Sequence, residues 1–126
     1  MKKILVIVLM ILILTGCSKK EQIVYKAVTC DEMQTLVEEG ATLIDVRTEV
    51  EYNTGHLNGA INMSSTDIMG IIENKIKNKE TKIVVYCQSG GRSKMIADKL
   101  IEVGYKYVYD LGSINNCTDS NIWKNS

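Results

Sequence analysis

Lys82-Ile83-Val84-Val85-Tyr86 runs without a break into Cys87-Gln88-Ser89-Gly90-Gly91-Arg92-Ser93, and a helical pattern follows with Ile96, Leu100 and Val103 on one face. An apolar run of strand length without polar alternation reads as a strand buried on both faces, as in a parallel sheet covered by helices. The thiol of Cys87 therefore stands where a buried strand hands over to a helix start. Backbone N–H groups converge at such a point and stabilise a thiolate. Gly90 and Gly91 let the chain curl so that successive N–H groups turn inward as an anion nest, and Arg92 adds a permanent cation beside it. The cradle suits a thiolate, a persulfide or an incoming oxyanion. The competing reading is an inert buried cysteine before an ordinary glycine turn; the strand–loop–helix context and Arg92 favour the reactive one.

The flanking segments repeat the alternation. Ile23 to Val28 reads as a short strand. Thr29 and Glu32 have capping-box spacing, and Met33, Leu36 and Val37 give one apolar helix face that ends at Gly40. Ala41 to Val46 is a second buried strand, Glu49 to Thr54 a short helix stopped by Gly55, and Ala60-Ile61-Asn62 a brief strand. Ile68, Ile71, Ile72 and Ile76 mark another helix, with lysines at its end (Lys75, Lys77, Lys79) that suit the dipole there. After the helix from Ser93 to Val103, stopped by Gly104, a last strand spans Tyr105 to Tyr109. The polar tail beyond Leu111 reads as a loosely packed helix or a frayed end. Strands alternating with helices predict one α/β domain, a small and mainly parallel sheet flanked by helices on both faces.

Composition narrows the function. The 126 residues suffice for one modest core, and 15 basic against 15 acidic side chains leave no global field to draw in nucleic acid. No Cys/His/Asp cluster has zinc-ligand spacing, so no metal or cofactor is implied. At the N-terminus, Lys2 and Lys3 precede an unbroken apolar stretch of eleven residues, Ile4 to Leu14. That length fits a signal-peptide core and is too short for a comfortable membrane span. Leu14-Thr15-Gly16-Cys17 resembles the lipobox of bacterial lipoproteins. It implies a signal peptide over 1–16, a lipidated tether over 17–22 beginning at Cys17, and a domain over 23–126 held outside the cell membrane. Three cysteines then remain, Cys30, Cys87 and Cys117, an odd number for an exported chain. Cys30 and Cys117 are able to pair in principle, leaving Cys87 free.

Two stretches carry a family resemblance. Tyr86 to Ser93 resembles the active-site loop of rhodanese-like single-domain sulfurtransferases. Leu43-Ile44-Asp45-Val46-Arg47, Glu51-Tyr52 and Gly55-His56-Leu57-Asn58-Gly59-Ala60-Ile61-Asn62 are similar to a second motif of that family, in the expected order and spacing. The resemblance covers roughly Thr29 to Gly112. It implies that Cys87 is the nucleophile, taking a sulfane sulfur from a small anion such as thiosulfate and passing it as a persulfide to cyanide, a thiol or a protein acceptor. Gln88, Ser89, Gly90, Gly91, Arg92 and Ser93 would bind the substrate, while Asp45 and Arg47 would form supporting ion pairs. His56, the only histidine, would belong to a structural turn. A second class stays open, a carrier or protein-binding module without turnover. A Cys-dependent phosphatase or arsenate reductase fits less well, because those loops place five residues between Cys and Arg and here there are four. In one respect the chain departs from the family: Cys117 stands where a tryptophan is usual, and Trp123 comes six residues later. Cys117 is therefore expected either to sit in a loose tail, or to engage Cys30 or the persulfide on Cys87.

Overall fold

A computed structural model describes residues 21–124. The expected signal segment 1–16, Cys17 and residues 18–20 of the tether lie outside the described residues, as do 125–126.

Five strands form the main sheet: β1 (Val24–Ala27), β2 (Thr42–Asp45), β4 (Ile61–Asn62), β5 (Lys82–Cys87) and β6 (Tyr107–Ser113). Their order is β1-β6-β5-β2-β4 and every pairing is parallel. Crossovers run through α1 (Cys30–Glu38), α2 (Glu49–Thr54), α3 (Ile68–Lys75) and α4 (Gly91–Glu102). The expected α/β architecture is therefore observed. Side-chain alternation along β5 divides the core in two. Ile83, Val85 and Cys87 point into the layer built by Ile68 and Ile72 of α3 and Ile96, Ala97 and Leu100 of α4. Val84 and Tyr86 point into the opposite layer with Met33 of α1, Leu57, Leu111 and Ile114. Because both faces are covered, the strand is apolar at every position after Lys82.

Helix starts follow local chemistry. Thr29 and Thr48 each cap a helix by accepting from the N–H three residues on, and Glu32 and Glu51 reach back to the cap N–H, so both form capping boxes. The helix after the Cys87 loop begins at Gly91 rather than Ser93, since Gly90 takes a positive φ of 102° that ends the loop two residues early. Lys77 and Lys79 fall beyond α3, whose last turn contains only Lys75.

The C-terminal region corrects the sequence reading. β6 spans Tyr107–Ser113 instead of ending at Tyr109, and as far as Lys124 the tail is an ordered segment with no α-helix. Two 3-10 turns, Ile114–Asn116 and Ser120–Ile122, lead to β7 (Trp123–Lys124), which pairs antiparallel with β3 (His56–Leu57). The polar tail makes specific bonds: Asn116 Nδ2 donates to Leu111 O at 2.9 Å. Asn58 donates from its backbone N–H to Ile122 O (2.7 Å) and from its side chain to Asn121 O (2.8 Å). Trp123 Nε1 donates to Cys117 O at 3.0 Å. A disulfide joins Cys30, at the start of α1, to Cys117 across a Cα separation of 5.2 Å. Cys117 thus engages Cys30 and packs in the layer opposite to that of Cys87.

The disulfide closes a loop of 87 residues, so reduction or Cys117→Ser is expected to lower stability by about 2–4 kcal/mol. Urea unfolding of residues 21–126 with and without reductant measures it. Mass spectrometry of the unreduced, unfolded domain should show alkylation of Cys87 alone.

Candidate active site

β5 ends in a fully buried Cys87, and the chain turns at once through exposed Gln88 and Ser89 to Gly90. The Sγ accepts the N–H of Gly90 at 3.0 Å and the N–H of Ser93 at 3.4 Å. Ser93 is itself fully buried and its hydroxyl donates to Gly90 O at 3.1 Å, which tightens the loop into the first helical turn. Burial pushes the Cys87 thiol up. The backbone N–H and hydroxyl of Ser93, then the N–H groups of Gly90 and Ser89, pull it down further, so that its pKa lies below the ordinary thiol value. These are orphan donors of a helix start, and a sulfur anion satisfies them.

The two supporting residues lie under this loop. Arg47 and Asp45, at 3% and 0% exposure, sit just past and at the end of β2. The guanidinium donates to Asp45 through Nη2 (2.7 Å) and Nε (3.1 Å), to Gly55 O (2.6 Å), and to Gln88 Oε1 (3.2 Å). Asp45 Oδ1 also accepts the backbone N–H of Arg47 at 2.9 Å. Burial works against the Arg47 cation, but the hydrogen bonds and charge of Asp45 outweigh it and raise its pKa. One buried ion pair therefore ties the end of β2, the Gly55 turn and the Cys87 loop together. Asn62 extends the knot by donating to Asp45 O (3.0 Å) and Arg47 O (2.9 Å).

His56 stacks on Tyr52 with ring centroids 3.7 Å apart, and its Nδ1 lies 3.0 Å from Tyr52 O. Those contacts are to the Gly55 turn. Tyr86 accepts the Leu57 N–H on its phenol oxygen at 3.1 Å, with its ring 5.9 Å from the Arg47 guanidinium carbon. Burial, and then the charge of Asp45, push the Tyr86 phenol well up, so it stays neutral.

Two further residues take part to which the sequence assigns no role at the site. Glu51 on α2 grips Arg92 with two hydrogen bonds, 2.7 Å to Nη1 and 3.0 Å to Nη2. Arg92 is the main reason the Glu51 carboxyl titrates at about 2, with the Thr48 cap adding to it. Thr48 and Glu51 have the same three-residue spacing as Thr29 and Glu32, so the cap was readable; the partner 41 residues away was not. Ser113 is the other. A register shift between Val85 and Tyr86 sets Ser113 opposite Cys87, where its hydroxyl donates to Gln88 O at 2.7 Å. No group of three or more metal-ligating side chains lies together among the described residues.

The rhodanese-like domain family matches residues 29–118. Thiosulfate sulfurtransferase 18 of Arabidopsis thaliana is 29% identical over 111 residues, 79% of this chain and 80% of that protein. Thiosulfate sulfurtransferase PspE of Escherichia coli (strain K12) is 32% identical over 73 residues, 58% of this chain and 70% of that protein. Among solved structures, a rhodanese with anions from E. coli superposes with a TM-score of 0.63 at 26% identity. The match covers 69% of this chain and all (100%) of that one.

Two outcomes follow from this geometry. Asp45→Asn leaves the Arg47 charge buried without its counter-charge and is expected to cost about 3–5 kcal/mol, read from urea unfolding. The pH dependence of Cys87 alkylation by iodoacetamide should show a midpoint below the roughly 8.5 of a free cysteine. Ser93→Ala should move that midpoint up, because the Ser93 hydroxyl that helps pull the thiol pKa down is removed.

Proposed function

This chain belongs to the rhodanese-like domain family, and on that footing we propose that it is a sulfurtransferase whose sulfur carrier is Cys87. The observation behind this reading is the Sγ held by the Gly90 and Ser93 N–H groups at a helix start. With thiosulfate as donor, the Cys87 thiolate attacks the outer sulfur. A new S–S bond forms, the bond between the two thiosulfate sulfurs breaks, and sulfite leaves with the electron pair. The three negative charges before the step are carried afterwards by the persulfide and the sulfite dianion. An acceptor such as cyanide or a thiolate then attacks the outer sulfur of the persulfide and restores the thiolate.

The loop amides serve both halves of this cycle. They lower the energy of the attacking thiolate and hold the terminal sulfur anion of the persulfide without reorganising, which is electrostatic preorganisation by fixed dipoles. Gln88 at the rim is held from below by Arg47 and from the side by Ser113, so the loop keeps its shape as the sulfur changes occupant. Four residues between Cys87 and Arg92 make a loop suited to a sulfur centre rather than a phosphoryl group.

The lipobox-like Leu14-Thr15-Gly16-Cys17 would tether the domain by lipid to the outer side of the cell membrane. The Cys30–Cys117 disulfide supports this, since such bonds persist in oxidising compartments. The substrates would be a small sulfur-containing anion and a thiol acceptor or a protein acceptor of sulfur, with no nucleic acid involved.

Thiosulfate-dependent thiocyanate formation should fall to the uncatalysed background in Cys87→Ser while the fold survives; equal rates for the two proteins would overturn the reading. If the wild-type protein gains one sulfur on Cys87 from thiosulfate yet gives no thiocyanate, the domain is a carrier rather than an enzyme.

A further inference from the structure

Two guanidinium groups flank the Cys87 loop, Arg47 beneath it and Arg92 at its far end, and each is matched by a carboxylate. Arg47 is bound to Asp45 beneath the loop and is nearly excluded from water. Arg92, the second residue of α4, is taken by both oxygens of Glu51. The Glu51 and Arg92 side chains are 31% and 34% exposed, so solvent screens this pair only in part. Fork-to-fork geometry commits two of the five guanidinium N–H donors to Glu51 and sets a carboxylate charge against the cation, which weakens its pull on a second anion. With both pairs closed, each arginine at the loop is offset by a carboxylate. A dianion approaching the thiolate meets repulsion and gains no net charge attraction from either pair.

We propose that Glu51 is a positioning residue that acts through Arg92 to set the charge of the sulfur donor. By withholding the loop cation it favours a monoanionic thiol persulfide over a small dianion such as thiosulfate. The inference rests on Cys87 as sulfur acceptor for its donor assignment; the electrostatic role of Glu51 does not. Transfer from a thiol persulfide balances as the Cys87 thiolate plus R–S–S⁻ giving the Cys87 persulfide anion plus R–S⁻. One S–S bond forms and one breaks, and charge is conserved. Glu51 was placed for this by its helix: the third residue of α2 is fixed by the Thr48 cap, which aims the carboxylate's other contacts at Arg92.

The test compares two alkylating agents that differ in charge, iodoacetate and iodoacetamide, on Cys87 at low salt. Glu51→Gln keeps the capping box, since glutamine serves there as well as glutamate, and removes the charge. The iodoacetate-to-iodoacetamide rate ratio should rise roughly 3–10-fold, as for removal of one partly screened negative charge near the site. The ratio cancels any change in thiolate population or loop packing that a merely structural role would produce. In the Glu51→Gln/Arg92→Gln double variant it should return to the wild-type value. Arg92→Gln alone, a second route should Glu51→Gln not fold, leaves Glu51 unpaired and should lower the ratio several-fold.

An unchanged ratio in either single variant overturns the proposal, and so does a rise that persists in the double variant. With sulfur donors, Glu51→Gln should raise the rate constant for Cys87 persulfide formation from thiosulfate by more than that from the persulfide of 2-mercaptoethanol. Equal gains overturn the donor assignment. If neither donor loads Cys87 while the alkylation ratio still shifts, sulfur transfer is refuted and the charge role of Glu51 stands.

Discussion

Arg47 is a full positive charge almost without water, and the C-terminal edge of the sheet is organised around keeping it there. Removing such an ion from water is unfavourable by several kcal/mol, and only close pairing with further hydrogen bonds offsets it. Asp45 supplies the counter-charge, and Gly55 O and Gln88 Oε1 take two further donors. Each of those acceptors belongs to a different segment. The guanidinium therefore cannot be satisfied unless the end of β2, the Gly55 turn and the loop after β5 arrive together. A buried pair of this kind contributes little net stability, but it specifies one arrangement of three loops.

Upon that arrangement the thiol chemistry rests. The Cys87 cradle is backbone, formed by N–H groups that a helix start leaves without partners, and backbone amides point usefully only if the loop has one shape. Arg47 holds Gln88 from beneath and Ser113 holds it from β6, while the buried Ser93 closes the first turn. On the outer side Glu51 fixes Arg92. Structural and electrostatic roles fall to the same residues, because a charge that shapes a loop also sets the field above it.

Much of this was readable in advance. Apolar runs at Leu43–Val46 and Ile83–Tyr86 announced buried parallel strands, and Thr29 with Glu32 announced a helix start, because these signals are local. The order of the tail is not legible locally, because the carbonyls of Asn121 and Ile122 are taken by the distant Asn58 and β7 pairs with β3. β6 proved longer than its apolar stretch since Asp110, Gly112 and Ser113 serve the bulge and the loop rather than the core. For the site, the Cys87 loop was legible as glycines and an arginine at a strand end. The grip of Glu51 on Arg92 was not, being a contact between residues 41 apart that no spacing rule connects.

By itself the sequence determined the alternation of strands and helices, the position of the Cys87 thiol at a helix start, and the residues able to surround it. Those properties depend on hydrophobic period, capping chemistry and glycine freedom, which act over a few residues. Only the tertiary structure decided that Cys30 meets Cys117 while Cys87 stays free, and that both arginines at the site are already neutralised. Such outcomes require side chains from separate crossovers to converge in space. Charge balance at a site is a property of that convergence and not of any one segment.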